Sequence, residues 1–139
     1  MGIRRLVLSE EIPQLEDWLA RFLPEPARRR ELPLDIQRVL TYIEENAFDP
    51  SLNVQRIKSH CGLRDNNISS RFRLFVGTTI RDYLESRRME AATSLLRQSQ
   101  ATIMEVAFAV GYNNLQTFYG AFHRRYSCTP DSYRRKSPR

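Results

Sequence analysis

The chain is short of cysteine, glycine and uninterrupted apolar sequence, and these shortages remove whole classes of protein. Only two cysteines occur in 139 residues, Cys61 and Cys128, 67 positions apart. That separation offers neither a disulfide framework nor a metal-ligand cluster. No apolar run approaches the roughly 18–20 residues that a membrane-spanning helix needs, because charges break every window. The opening, MGIRRLVLSEE, is basic but lacks the apolar core and small-residue cleavage site of a secretion signal. The five glycines form no phosphate-cradling loop, and neither HExxH nor GxSxG occurs. His60 and Cys61 are adjacent, but neighbours on a helix point about 100° apart and rarely form a thiolate–imidazole pair. The expectation is a cytoplasmic protein that is no enzyme, with no cofactor, no metal site and no membrane association.

Base, by contrast, is abundant. Lys and Arg number 22 against 16 Asp and Glu, a formal charge of +6. Residues 1–31 hold six Arg and six acids and sum to zero, so the whole excess falls in residues 32–139. The stretch after Gly120 carries six bases against Asp131 alone. Solubility would account for such a charge, and so would a nucleic-acid partner. The uneven distribution divides the chain into a neutral segment, 1–31, and a basic domain, 32–139.

No strand pattern is convincing; the periodicity is helical throughout. Ile12, Leu15, Leu19 and Phe22 mark a first helix beside Trp18, and PEPARRRELP (24–33) reads as a linker. A helix is expected over 34–47 with Ile36, Val39, Leu40 and Ile43 on one face. Another, over 52–60, is capped by Ser51 and broken by Gly62. Ile68, Phe72 and Phe75 mark the next, over 65–75, ended by Gly77. The longest, 79–98, has apolar Ile80, Tyr83, Leu84, Ala91, Ala92, Leu95 and Leu96, with Arg81, Arg87, Arg88 and Arg97 on other faces. Helices over 102–110 and 114–126 and a short one from Pro130 to Tyr133 complete an all-α chain.

Two windows repeat. Val54, Ile57, Cys61 and Gly62 each recur 49 residues later as Ile103, Val106, Val110 and Gly111; after the glycine the offset is 50, matching Ile68 with Phe118 and Phe72 with Phe122. Each window reads as a short helix, a glycine turn and a second helix, a steep helix pair whose second member can enter a DNA major groove. The units fall at 52–77 and 102–127, joined by the long helix. A helical hairpin repeated inside an ordinary bundle would show the same spacing, but two copies in a basic domain favour the nucleic-acid reading. The joining helix, about 30 Å long, is close to the roughly 34 Å between successive major-groove faces.

The second window, TIMEVAFAVGYNNLQTFYGAFHRRYSCTPDSYRR, resembles the DNA-binding domain of the AraC/XylS family of bacterial transcription regulators. Ile103, Val106, Ala107, Gly111, Tyr112, Phe118, Phe122, Arg124, Pro130, Tyr133 and Arg134 fall in register with the family signature. Tyr83, Arg87, Ala91, Leu95 and Leu96 match its linker-helix pattern, so the likeness runs from about residue 34 to 135. It implies two helix-turn-helix units of homeodomain-like build, regulation of promoters, more often activation, and contact with RNA polymerase. Residues 1–31 then read either as the tail of a sensor or dimerisation domain, through which an effector acts, or as the short N-terminal helix of a chain acting alone. The departures are Lys58 for the usual Ala, Ser127 for the usual Gly, and Ser70 and Gly120 where the family often carries a reading arginine.

The expected function is therefore a sequence-specific, double-stranded-DNA-binding regulator of transcription, located in the cytoplasm at the nucleoid. Candidate base readers are Asn66, Asn67, Ser69, Ser70 and Arg71 in the first unit, and Asn114, Leu115, Gln116, Thr117 and Gly120 in the second. These side chains hydrogen-bond base edges or touch thymine methyls. Candidate phosphate contacts are Arg64, Arg73, Arg81, Arg124, Arg125, Arg134 and Arg135. The competing reading is a helical adaptor that keeps the scaffold without specific DNA readout, favoured by the missing arginines. Phe72, Phe118, Phe122 and Tyr133 are expected in the core, as is Cys61.

Overall fold

The computed structural model describes residues 29–61 and 67–137. The helical pattern at 12–22, the start of the linker, Gly62, Arg64 and Asn66 lie outside the described residues. Within them every regular element is helical. A single 3-10 turn, Arg29–Glu31, is followed by α1 (Leu34–Asn46), α2 (Val54–His60), α3 (Asn67–Val76), α4 (Ile80–Gln98), α5 (Ile103–Ala109), α6 (Leu115–Tyr126) and α7 (Pro130–Lys136).

The helix starts are written in short polar side chains. Thr79, Asn114 and Thr129 each accept a hydrogen bond from the backbone N–H three residues on, and Thr102 does so within a capping box closed by Glu105. At α2 the cap is Asn53, not Ser51. Ser51 instead donates its hydroxyl and backbone N–H to Asp49 in the preceding turn, and Leu52 between the two is buried. α3 is followed by Gly77 at φ 94° and α6 by Ser127 at φ 59°, the left-handed conformation expected of a glycine there. The final helix continues one turn past Tyr133, to Lys136.

The 49-residue offset reaches further back than the two windows. Val39, Leu40, Ile43 and Ala47 of the first unit correspond to Arg88, Met89, Ala92 and Leu96 of α4, and all eight are buried. Each unit is thus a three-helix bundle, α1–α2–α3 and α4–α5–α6. The long helix serves as connector for the first and opening helix for the second. Its N-terminal half buries Ile80, Tyr83 and Leu84 with Ile36, Ile57 and Phe72. Its C-terminal half buries Met89, Leu95 and Leu96 with Val106, Phe118 and Phe122. Full burial contributes roughly 1.5–3 kcal/mol per large apolar side chain, so both cores grip one rod. Tyr133 packs half-buried against the second core, while Phe75, on the expected apolar stripe of α3, is 43% exposed.

Arg88 departs most from expectation. It does not line an outer face but is only 8% exposed. Its Nε donates to the Ala47 carbonyl at 2.8 Å, and its Nη2 donates to those of Asp49 at 2.8 Å and Leu52 at 3.4 Å. The guanidinium lies 5.5 Å from the Tyr112 ring centre and beneath Gly111, where a Cβ would come within 2.8 Å of Nε. One cation therefore ties the α1–α2 turn of the first unit to the glycine turn of the second. Arg88→Ala orphans buried carbonyls and leaves a void, and should lower the unfolding free energy in urea by about 3 kcal/mol; a loss under about 0.5 kcal/mol, the scale of an ordinary surface change, would show the tie to be dispensable.

Candidate nucleic-acid interface

On α3 the buried residues Ile68 and Phe72 leave Asn67, Ser70 and Leu74 on the exposed side. Fifty residues on, α6 buries Phe118, Ala121 and Phe122 and turns Thr117 and Arg124 outward, with half-buried Gly120 between them on the row. Helical residues three and four apart form such rows. Gln116 is exposed beside Thr117, and Ser69 is half-buried. Leu115, expected among the readers, is half-buried and packs against the second core. Asn114 is exposed, but its side chain is engaged as the cap of α6. Tyr119 leaves this face by donating its hydroxyl to Asp131 at 2.8 Å, which joins α6 to α7. Burial and that bond push its pKa up to about 12.

The arginines sort into exposed and engaged. Arg73, Arg81 and Arg135 are exposed. Arg71, expected to read bases, instead grips Asp35 of α1 with two near-parallel bonds, Nε to Oδ2 at 3.1 Å and Nη2 to Oδ1 at 3.0 Å. Arg134, expected at phosphate, turns into the fold and donates to the carbonyls of Leu96 and Ser99, capping the open end of α4. Arg124 pairs with Glu85 at 3.3 Å, and Arg125 donates to Ser86 at 3.1 Å, so the end of α6 leans on α4. Both remain largely exposed.

Between the units lies a cleft of about 230 Å³ lined by Asn53, Arg81, Glu85, Tyr112, Thr117 and Arg124 among others. Burial, with Glu85 nearby, pushes the Tyr112 phenol up to about 12. Sequence reasoning passed over Glu85 and set Arg88 on an outer face. The available signal was the repeat itself, since Arg88 stands 49 residues after buried Val39 and Glu85 stands 49 after buried Ile36.

Cys61 is buried, its thiol pushed up by desolvation and set 3.9 Å from the Arg38 carbonyl. His60 stacks on Tyr42 with ring centres 4.0 Å apart. Among the described residues no group of His, Cys, Asp and Glu could hold a metal ion, and no helix is long and apolar enough to cross a membrane.

Two three-helix units sharing one helix, each turning a polar row of its last helix outward beside exposed arginines, define a tandem helix-turn-helix protein. A helix-turn-helix domain model matches residues 57–136. The xylose operon regulatory protein of Escherichia coli K12 is 32% identical over 141 residues, spanning 95% of this chain and 34% of that protein. Regulatory protein SoxS of the same strain is 31% identical over 73% of this chain and 94% of its own length. Among solved structures, the C-terminal domain of AraT, a response regulator from Geobacillus stearothermophilus, superposes with a TM-score of 0.72 at 25% identity, covering 76% of this chain and 88% of that one. The chain belongs to the AraC/XylS family of DNA-binding transcription regulators, a family of regulators rather than enzymes. It spans about a third of the length of the xylose operon regulatory protein.

The Asp35–Arg71 pair makes a pH prediction. The Arg71 bond holds the Asp35 carboxyl below its ordinary 3.8, and hydrogen bonds from Ser51 do the same for Asp49. A carboxyl depressed in the folded state stabilises the fold at pH above its unfolded value, and that stability fades as pH falls through the folded value. Stability measured in urea should be flat from neutrality to about pH 5 and decline below pH 4. Asp35→Asn should be less stable at neutral pH and decline less steeply; an unchanged acid slope would mean the pair contributes nothing.

Proposed function

We propose that the chain binds specific double-stranded promoter DNA by setting α3 and α6 into adjacent major grooves on one side of the duplex, and that it acts as an activator of transcription. One observation carries this reading: the two bundles whose last helices, α3 and α6, carry the outward rows share a single 19-residue helix, α4. At 1.5 Å per residue that helix is about 28 Å long, near the roughly 34 Å advance of one DNA turn. Asn67, Ser69, Ser70, Gln116 and Thr117 supply base-edge donors and acceptors, with Asn66 before them. Arg73, Arg81, Arg125 and Arg135, joined by Arg64, supply phosphate contacts. Arg71, held by Asp35, braces the reading helix α3 against α1, and Arg134 ties α7 to the end of α4 rather than reaching phosphate.

Residues 32–139 form the DNA-binding domain in this reading, and residues 1–31 link it to a sensor or dimerisation partner through which an effector acts. That the chain matches 34% of the xylose operon regulatory protein supports a further domain beside it, and the match of 94% of SoxS to 73% of this chain supports a DNA-binding part shorter than the chain. RNA polymerase is the expected protein partner, with the protein working in the cytoplasm at the nucleoid. The competing reading, an adaptor without specific DNA readout, draws on the absence of arginine at Ser70 and Gly120.

The test is binding to a duplex selected by the protein from a randomised pool, against its scrambled version, over a salt series. A specific double reader should prefer the selected duplex by at least about 1,000-fold. Its log–log salt slope should be about −5 to −9, as expected for roughly 6–10 neutralised phosphates. Inserting half a helical turn, about five base pairs, between the two protected grooves should remove most of the preference. Equal affinity for both duplexes at every salt concentration would favour the adaptor reading.

A further inference from the structure

The second unit lacks an arginine at position 120, yet the space that side chain would enter is not empty. A Cβ built on Gly120 meets a single atom group, the Nη1 of Arg124, at 3.6 Å. Helical side chains lean toward the N-terminus and cover the turn before their own Cα. Arg124, one turn later, therefore lays its guanidinium over the bare glycine. Its other terminal nitrogen, Nη2, is held by Glu85 of α4 at 3.3 Å. The guanidinium is thus on the outward row beside Thr117, at the bearing from which a residue at 120 would project, with a carboxylate fixing its direction.

The first unit has no counterpart. Ser70 and Leu74 occupy the matching places fifty residues earlier, and Leu74 is 77% exposed. Among the described residues of α3 and α6, a fork of donors over a small residue occurs in α6 alone.

We propose that Arg124, laid over Gly120 and aimed by Glu85, is the guanine-recognising arginine of the second unit, and that a side chain longer than alanine's at position 120 would displace it. Arg124 is therefore a specificity residue rather than one more phosphate contact, with Glu85 as its positioning residue. The proposal rests on the reading of the chain as a sequence-specific DNA binder. It also makes recognition unequal: the second half-site contains a guanine read by a fork, whereas the first is read without one. The planar guanidinium can place two parallel bonds on guanine O6 and N7, which a lysine cannot reproduce.

The test measures binding of wild type and variants to the duplex selected by the wild-type protein and to its full set of single-base-pair replacements. Wild type should disfavour replacement of one G·C pair in one half-site by about ten- to a hundredfold. Arg124→Lys should flatten discrimination at that pair, keep it elsewhere, and leave the salt slope unchanged because the charge remains. Gly120→Met should flatten the same pair by displacing the guanidinium while raising the melting temperature through better helix propensity, so misfolding cannot explain the loss. Glu85→Gln should weaken discrimination at that pair more than at any other. If Arg124→Lys matches wild type at every pair, or Arg124→Ala weakens all duplexes equally, Arg124 is a phosphate contact and the proposal fails. If the wild-type protein selects no sequence from the pool, the underlying reading of the chain fails instead.

Discussion

The architecture depends on a buried cation in a shared helix. α4 serves two cores at once, and such a helix gives its units a fixed relation only if something resists twisting where the cores meet. Apolar packing is poorly directional and roughly proportional to area. Arg88 supplies direction. Its three bonds reach the α1–α2 turn, its plane faces Tyr112, and Gly111 lies directly over it. Burial works against its charge, and a buried charge is tolerated where hydrogen bonds compensate it. Carbonyl oxygens that a turn would otherwise leave facing an apolar wall are satisfied by the same group. Gly111 consequently answers two demands, a φ of 105° that L side chains rarely adopt and clearance for a guanidinium.

The repeat explains both what was legible in the sequence and what was not. Helical periodicity, glycine stops and the 49- and 50-residue offsets revealed the seven α-helices of the described residues and the two units, because those features follow from local chemistry that each residue carries with it. Cap positions shifted by a residue or two, as at Ser51 and Asn53, since several residues of one turn can offer an oxygen and only the packing of Leu52 decides between them. The fate of the arginines was much less legible. Composition counts an arginine as surface charge, but Arg71, Arg88 and Arg134 are occupied by a carboxylate or by carbonyls brought from 35 to 41 residues away. Such partners depend on tertiary geometry that no window of sequence contains. Extending the repeat into α1 and α4 would have singled out Arg88, a charge at a register position where the first unit has valine.

Departures between the two halves mark where the units differ in task. The first unit holds its last helix to α1 through Arg71 and Asp35. In the second, Ala121 stands at the matching position, and α6 leans on α4 through Arg124 and Arg125 instead. The first attachment joins helices within a unit at a distance from the shared rod. The second lies at the cleft between the units, where a duplex crossing from one groove to the next would pass in the proposed binding mode.

That arrangement bears on how a basic protein avoids holding every DNA equally. A free, exposed arginine gains from any phosphate it meets, so it adds affinity without discrimination. An arginine already paired with a carboxylate must exchange that partner, and an exposed pair is worth only about 0–1 kcal/mol. The exchange is nearly neutral against phosphate. It is favourable where the new partner accepts two parallel bonds, worth roughly 1–3 kcal/mol of discrimination at a guanine. Glu85 beside Arg124 thus lowers non-specific attraction by about as much as it lowers specific attraction, but the specific contact starts from the larger gain. Carboxylates facing the proposed interface reduce the charge that drives general binding while leaving the geometric preference of the arginine fork intact. In a chain with a net charge of +6, selectivity then depends less on how many arginines face the duplex than on which of them can place two parallel bonds on a base, since the cost of giving up a carboxylate falls on specific and non-specific contacts alike.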